Sequence, residues 1–257
     1  VFVNRVWALH FGRGLVETPS DFGRVGGEPS HPALLDWLAS EFVARGWSLK
    51  ELHRLILTSA TFRQASAPVA EAAKVDAANR LLWRFPPRRL EAEAIRDSVL
   101  QVAGTLDLTM GGPPVNFYLP KPDFGEYVPK DDAGSEAWRR TIYLLRARGA
   151  DDGLFTAFDV PDCGQVRPQR NRSTTPIQAL NLFNGAFIHA QADRFAGRVQ
   201  REAGSEAAAQ VTRAFRLALN RAPSARELEV ARHAVERDGL GSLCRALFNS
   251  NEFVFLP

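Results

Sequence analysis

The sequence predicts a mainly α-helical protein: a multi-helix globular domain with a minor strand element and one long loop rich in proline and aromatic residues. Three observations carry this. Capping boxes recur, at Ser48-Leu49-Lys50-Glu51, Thr175-Pro176-Ile177-Gln178 and Ser224-Ala225-Arg226-Glu227. Apolar residues follow them at helical spacing. One short run only, Thr141 to Leu145, has the composition of a strand, too little for a doubly wound sheet.

In chain order, a first helix is under way at Val3 and stops near Phe11-Gly12, where Gly12 and Gly14 fit a terminator and turn. A Gly/Pro-rich loop spans residues 17 to 32. Pro32 then opens a helix to about Ala44, with Leu34, Leu35, Trp37, Leu38 and Phe42 as its apolar set. The Ser48 box opens a helix that points Leu52, Leu55 and Ile56 inward and ends between Thr58 and Phe62. Residues 65 to 79 read as a connector, and a helix follows from about Arg89 to Ala103, stopped by Gly104. Residues 104 to 136 carry Gly111-Gly112-Pro113-Pro114, Pro120, Pro122 and Pro129 among Phe117, Tyr118, Phe124 and Tyr127. This irregular segment is expected to cover a pocket or to pack on the core through its own aromatics. After the strand candidate come a short helix near 151 to 158, a loop to Ser173, and a helix from Pro176 to about Ala203 with a break at Asn184-Gly185. Ala179, Leu182, Phe183, Ala186 and Ala190 share one face of it, expected to be core. Gln178, Asn181, Gly185 and His189 share the next. Helices near 205–219, 224–237 and 240–249 close the chain. The whole is expected to be one domain, with lobes 1–104 and 139–257 joined by residues 105–138.

The chain has 257 residues, enough to bury a sizeable core. Apolar residues make up 45% and charged residues 24%, an ordinary globular balance, and no apolar stretch reaches the length of a membrane span. The chain starts at Val1 with a helical pattern already running, which reads as a piece of a longer protein. Of the 32 basic residues four are lysine (Lys50, Lys74, Lys121, Lys130), leaving 28 arginines. Arginine suits bidentate pairing with carboxylate, sulfate or phosphate, but codon bias in a GC-rich genome is the favoured explanation of the excess. No basic run interleaved with aromatics marks a nucleic-acid surface, so no nucleic-acid partner is expected. The five histidines do not sit at metal-ligand spacing, and no metal or cofactor is expected in this chain. No C-x-x-C-H haem motif, Walker loop, H-E-x-x-H or G-x-S-x-G is present. Cys163 and Cys244 form either one disulfide or two free thiols.

Candidate sites rest on clusters of residue type. Arg170, Asn171, Thr174, Thr175, Gln178 and Asn181 gather guanidinium, hydroxyl and amide groups at a helix start, where free N–H groups suit an anion. The same groups also suit a helix start that is only well capped. Asp159 and Asp162, just upstream, are catalytic candidates as a general acid and base pair, or ion partners of Arg170 or Arg172. A second cluster, Asn4, Arg5, Trp7, His10, Arg13 and Asp21, offers His10 and Asp21 as catalytic candidates or as parts of a buried network of Asp21 with Arg5 or His10. Asn249-Ser250-Asn251-Glu252 reads as a cap. Trp7, Trp37, Trp47, Trp83 and Trp138 are sugar platforms if exposed, with Trp7 and Trp37 expected in the core.

Five ordered blocks, "VNRVWALHFGRGLVETPSDFG", "HPALLDWLASEFVARGWSLKELHRLILTSATFRQ", "NRLLWRFPPRRLEAEAIRDSVL", "RNRSTTPIQALNLFN" and "CRALFNSNEFVFLP", resemble a planctomycete-specific C-terminal domain family of unknown function. The family occurs in large exported proteins that often carry a planctomycete-type c-type cytochrome domain upstream. The resemblance implies upstream domains of the same polypeptide as partners, haem c only in such a domain, and an extracytoplasmic location, periplasmic or at the cell surface. It implies a ligand-binding or assembly module, with an anionic or carbohydrate ligand. The alternative is an enzyme acting on complex polysaccharide, sulfated or not. The family's first block often reads His-His-Phe-Gly where this chain has Leu9-His10-Phe11-Gly12. The family's cysteine shortly before the Arg-Asn block is replaced here by Arg167, with Cys163 upstream, so a disulfide from this loop to Cys244 would be shifted or absent.

Overall fold

A computed structural model describes residues 1–119, 130, 134–147, 153–161, 164 and 169–256. It is mainly helical and divides into two compact units, residues 1–88 and 89–256. The division falls at Arg88 and Arg89, not across residues 105–138, because the helix after Arg89 packs with the later helices rather than with the first ones.

The first unit contains α1 (Phe2–Phe11), α2 (Pro32–Ala44), α3 (Leu49–Leu57), α4 (Ala60–Arg63) and α5 (Ala70–Val75). Gly12 ends α1 in the left-handed conformation, its N–H donating to Ala8 O at 2.8 Å. Ser48 caps α3, its Oγ accepting from Glu51 N at 3.3 Å. The short α5 lies in the stretch expected to be only a connector. Val3, Val6, Trp7 and Phe11 of α1 meet Leu38 and Phe42 of α2 and Leu52 and Ile56 of α3, closed by Phe85. Trp37 does not join them and is 49% exposed. It sits one residue, or 100° of helix, away from Leu38, and the buried face of α2 is only as wide as Leu38 and Phe42.

The second unit holds α6 (Ala92–Ala103), α7 (Leu154–Ala157), α8 (Pro176–Asn184), α9 (Ala186–Ala203), α10 (Ala207–Leu219), α11 (Ala225–Asp238), α12 (Leu240–Phe248) and α13 (Asn251–Val254). The strand element is a two-stranded sheet of β1 (Arg88–Arg89) with β2 (Phe255–Leu256). Helix α9 is the spine, packing on α6, α10 and α12, with Phe195 and Phe248 stacked at 5.4 Å and both fully buried. Ser224 and Glu227 close their box: Glu227 N donates to Ser224 Oγ at 3.3 Å and Ser224 N to Glu227 Oε2 at 2.7 Å. Ser250 caps α13, its Oγ accepting from Phe253 N at 3.3 Å, and Glu252 pairs with Arg221 at 2.6 Å. Cys244 is a buried free thiol, its pKa pushed up by burial and by Asp193. Cys163 lies outside the described residues.

Two local expectations are corrected. Thr141–Tyr143 is a 3₁₀ turn rather than a strand. The Asp97 carboxylate accepts from Thr141 N at 2.8 Å and from Thr141 Oγ1 at 2.6 Å, and this side-chain capture turns the backbone where a ladder would have run. Only an isolated parallel bridge between Val115 and Leu144 remains. The helix break at Gly185 is real, and it resets the helical phase. Gln178 and Leu182 of α8 and Ile188, Gln191, Ala192 and Phe195 of α9 are buried, while Ala179, Phe183 and Ala186 are exposed. In the long irregular segment Phe117 and Tyr118 are buried in the core, stacked at 4.4 Å. Phe124 and Tyr127 lie outside the described residues.

Candidate functional site

Asp159 sits at the exit of α7 with φ 62°, a left-handed conformation that Asp tolerates better than most residues. Its carboxylate accepts from Arg89 Nη2 at 2.6 Å, from Ser173 N at 2.8 Å, and from Ser173 Oγ at 2.8 and 3.0 Å. Arg89 is buried and lies over the Phe158 ring at 4.9 Å. Burial lowers its pKa, and Asp159 opposes that. Three of these bonds fall on Oδ2 and one on Oδ1, so the carboxylate ties Arg89 of β1 to Ser173 in the loop before α8. Asp162, its expected partner in acid and base work, lies outside the described residues.

The expected ion partner of Asp159 was Arg170 or Arg172. Arg170 instead reaches the first turn of α6, donating to Glu91 Oε2 at 2.9 Å and Glu93 Oε1 at 2.8 Å, with Nε 3.4 Å from the Asp159 carbonyl. Burial works against its charge, and Glu93 and Glu91 outweigh burial and raise its pKa. Gln178 turns inward. Its Oε1 accepts from Thr175 N at 3.4 Å, and its Nε2 donates to Ala157 O at 3.0 Å and to Ser173 O and Oγ at 3.1 Å. Thr175 is half-buried as the N-cap, and Asn181 is half-buried, its carbonyl accepting from Gly185 N at 2.9 Å. Asn171 and Thr174 are exposed. The structure therefore joins Arg170, Thr175 and Gln178 to Asp159 and to the start of α6 as one bonded lattice. Sequence reasoning missed Arg89, Glu91 and Glu93, which lie about 80 residues before Arg170 in the chain and carry no local signal of the contact.

In the first unit, Asn4 is fully buried and clamps Val16 both ways, donating to Val16 O at 3.0 Å and accepting from Val16 N at 2.8 Å. Asp21 is exposed, and its Oδ1 accepts from Gly23 N at 2.9 Å within its own loop, not from Arg5 or His10. His10 meets a residue the sequence did not single out: its Nε2 lies 2.8 Å from His53 Nδ1. Burial, then His53 and Arg88, lower the His10 pKa. A cavity bounded by Trp7, Arg13, Leu15 and Arg80 is about 20 Å³, room for one water and no more.

The roomier site was not singled out. An open cleft of about 620 Å³ runs along α9 in the second unit, within the roughly 300–1,000 Å³ of small-molecule sites. Its floor is one stripe of α9: Ala190, Asp193, Arg194, Gly197 and Arg201. Its walls are Ala103, Gly104 and Thr105 at the end of α6, and Trp138. Trp138 is held by its neighbours' carbonyls. The buried Arg96 donates to Ala137 O and, at 3.2 Å, to Arg139 O, while Asp107 N donates to Trp138 O at 3.0 Å. Burial pulls the Arg96 pKa down to about 10 against the opposing effect of Asp97, so it stays cationic at neutral pH. Arg194 lies over the Trp138 ring at 4.7 Å and donates once, to Ala190 O at 2.9 Å. Among the described residues neither Arg194 nor Arg201 has a carboxylate partner. Arg198, between them on the helix, is spent on Glu202 and on the Gln101 and Val102 carbonyls at the end of α6. Among the described residues no group of three or more His, Cys, Asp or Glu side chains is placed to hold a metal, and no helix is long and apolar enough to cross a membrane.

Compared with known proteins, residues 1–235 match the PSD1 family, described as a protein of unknown function (DUF1553), so the match takes in the first unit and most of the second. No curated protein and no solved structure matches the chain.

Proposed function

The chain belongs to the PSD1 family of proteins of unknown function, and from that premise and the geometry above we propose that it is a ligand-binding module rather than a catalyst. The observation that carries this reading is the α9 cleft, where a positioned tryptophan and two arginines without a carboxylate partner among the described residues line an open space. Such a surface offers affinity and orientation. Asp159, the described member of the expected acid and base pair, is tied to Arg89 and Ser173 in the bonded lattice before α8. From the resemblance alone we infer that the module is the C-terminal part of an exported planctomycete protein, that it works outside the cytoplasm, and that its partners are upstream domains including a c-type cytochrome.

A second reading, an enzyme on complex polysaccharide, sulfated or not, draws support from one observation: the exposed Asp193 is among the residues that line the cleft. The experiment that separates the two is turnover. The purified chain is incubated with neutral, acidic and sulfated polysaccharides, and new reducing ends are counted. The module reading predicts no increase over a protein-free control. Turnover abolished by Asp193→Asn or Asp159→Asn would overturn it.

A further inference from the structure

We propose that the outer face of α8 is a docking surface for an amphipathic helix with acidic flanks, seated along Ile177, Leu180 and Phe183. None of these three residues lines the α9 cleft, so the inference stands whether or not the cleft binds a ligand.

Helix α8 is built inside out. It has nine residues and no charge. A surface helix ordinarily turns an apolar stripe to the core and polar residues to water. Here the side turned inward carries Gln178 beside Leu182, and the buried Gln178 amide donates to Ala157 O at 3.0 Å and to Ser173 O and Oγ at 3.1 Å. The opposite side carries Ile177, Leu180 and Phe183, which are 62%, 57% and 41% exposed, with Pro176 and Ala179 exposed beside them. The capping box at Thr175 and the bonds of Gln178 hold the helix in this orientation. Single exposed apolar residues need no explanation, but a row of them on a helix anchored by its polar side marks an interaction surface.

The form of the row fixes the kind of partner. Residues three apart on a helix are neighbours and make a ridge inclined at about 45° to the axis. Such a ridge seats in the groove between the i±4 rows of a second helix, the two axes crossing at about 20°. Nine residues rise roughly 13 Å, so about three turns of a partner helix cover the row.

Charge selects among helices. Helix α8 packs on α7, α9 and α12. α7 has no charged residue, the first two turns of α9 carry His189 as their one titratable group, and α12 carries Arg245 alone. The Arg245 guanidinium borders the row, 4.5 Å over the Phe183 ring, with Nη1 3.1 and 3.2 Å from the His189 ring nitrogens. Before the other end of the row, Arg172 is exposed. Glu91 and Glu93 are paired with Arg170, and Asp159 is bonded to Arg89 and Ser173. Asp193 lies a turn further along α9 than His189, its Oδ1 3.2 Å from where a Gly241 Cβ would stand. A partner helix with Asp or Glu bordering its apolar stripe complements the two arginines. A second copy does not: a two-fold axis that sets α8 parallel or antiparallel to its counterpart brings arginine to arginine.

The test is fluorescence anisotropy on the full chain with two labelled peptides of about 18 residues. Both carry leucine at i, i+3, i+4 and i+7, one flanked by glutamate and the other by lysine. The titrations are repeated with Leu180→Glu and Arg245→Gln, whose folding is checked by circular dichroism and melting temperature. The expected result is a dissociation constant below about 100 µM for the glutamate peptide, rising with salt. The lysine peptide binds at least about tenfold more weakly, as does the glutamate peptide to Leu180→Glu, and Arg245→Gln loses about fivefold. Both variants melt within about 5 °C of the parent. The inference is overturned if the glutamate peptide fails to bind at about 1 mM, if the lysine peptide binds as tightly, or if folded Leu180→Glu binds like the parent. A larger fall in the melting temperature of Leu180→Glu shows that the chain itself covers the face, and also overturns it. Sedimentation and flotation with vesicles of equal phosphatidylglycerol and phosphatidylcholine give the remaining outcomes. Dimerisation lost in Leu180→Glu assigns the face to a second copy, vesicle binding lost in Leu180→Glu assigns it to a lipid surface, and either overturns the inference.

Discussion

Asp159→Asn removes one negative charge, keeps the side-chain shape, and suits the left-handed backbone at that position, where asparagine is tolerated. The Arg89 side chain is 6% exposed and that of Asp159 17%, so the pair is largely out of water. Neutralising one partner strands a buried guanidinium, which costs about 3–5 kcal/mol. Part of that is the loss of charge-assisted bonds from Arg89 at 2.6 Å and from Ser173 N and Oγ at 2.8 Å. The assay is urea unfolding followed by circular dichroism. With a slope of about 2–3 kcal/mol/M the midpoint falls by roughly 1–2.5 M. In an Arg89→Met background no charge is left to strand, and the same substitution costs only about 1 kcal/mol of hydrogen bonding. The difference between the two backgrounds, about 2–4 kcal/mol, measures the coupling. A single-variant loss below about 1 kcal/mol, or equal losses in both backgrounds, would refute the claim that this pair fastens the loop before α8.

Asn4→Ala leaves the Val16 N–H and C=O buried without partners and is expected to cost about 2–4 kcal/mol in the first unit, read as a lower urea midpoint. Gly197→Ala is expected to raise stability by up to about 1 kcal/mol, whereas Gly104→Ala, at φ 79° and with a Cβ 3.2 Å from Arg198 Cδ, is expected to lose about 1–2 kcal/mol; paired thermal melts distinguish the two signs. The folded pKa of His10 lies below its ordinary 6.5 because of burial, His53 and Arg88. The unfolded chain therefore takes up the proton first, and stability is complete above about pH 6.5 and falls as the pH drops from there toward the folded value. Melting of the parent should thus weaken between about pH 7 and pH 5 more than melting of His10→Phe, and parallel curves would contradict the assignment.

Helix ends were readable from the sequence because their chemistry is local. Ser48, Ser224 and Thr175-Pro176 each start a helix, and Gly12 and Gly104 each stop one through a left-handed cap. The face that a helix buries was less readable. Projecting 100° per residue through Gly185 merged two helices of different phase, and so Ala179 and Phe183 were placed inside although both are exposed. Thr141 to Leu145 misled because Asp97, 44 residues earlier, captures Thr141. The candidate sites divide the same way. Thr175 and Gln178 pair as their spacing suggested, but what closes Asp159 and Arg170 is Arg89, Glu91 and Glu93, brought in by the packing of α6. The α9 cleft needs Trp138, Thr105 and a stripe of α9 at once, and no motif spans those three segments.

The most direct measurement of the central claim is a crystal structure of the chain grown with glucuronate. The account predicts the sugar in the α9 cleft, with its carboxylate on Arg201 or Arg194. Glucuronate seated instead on the backbone N–H groups after Thr175, with Arg170 released from Glu91 and Glu93 and the α9 cleft empty, would contradict it.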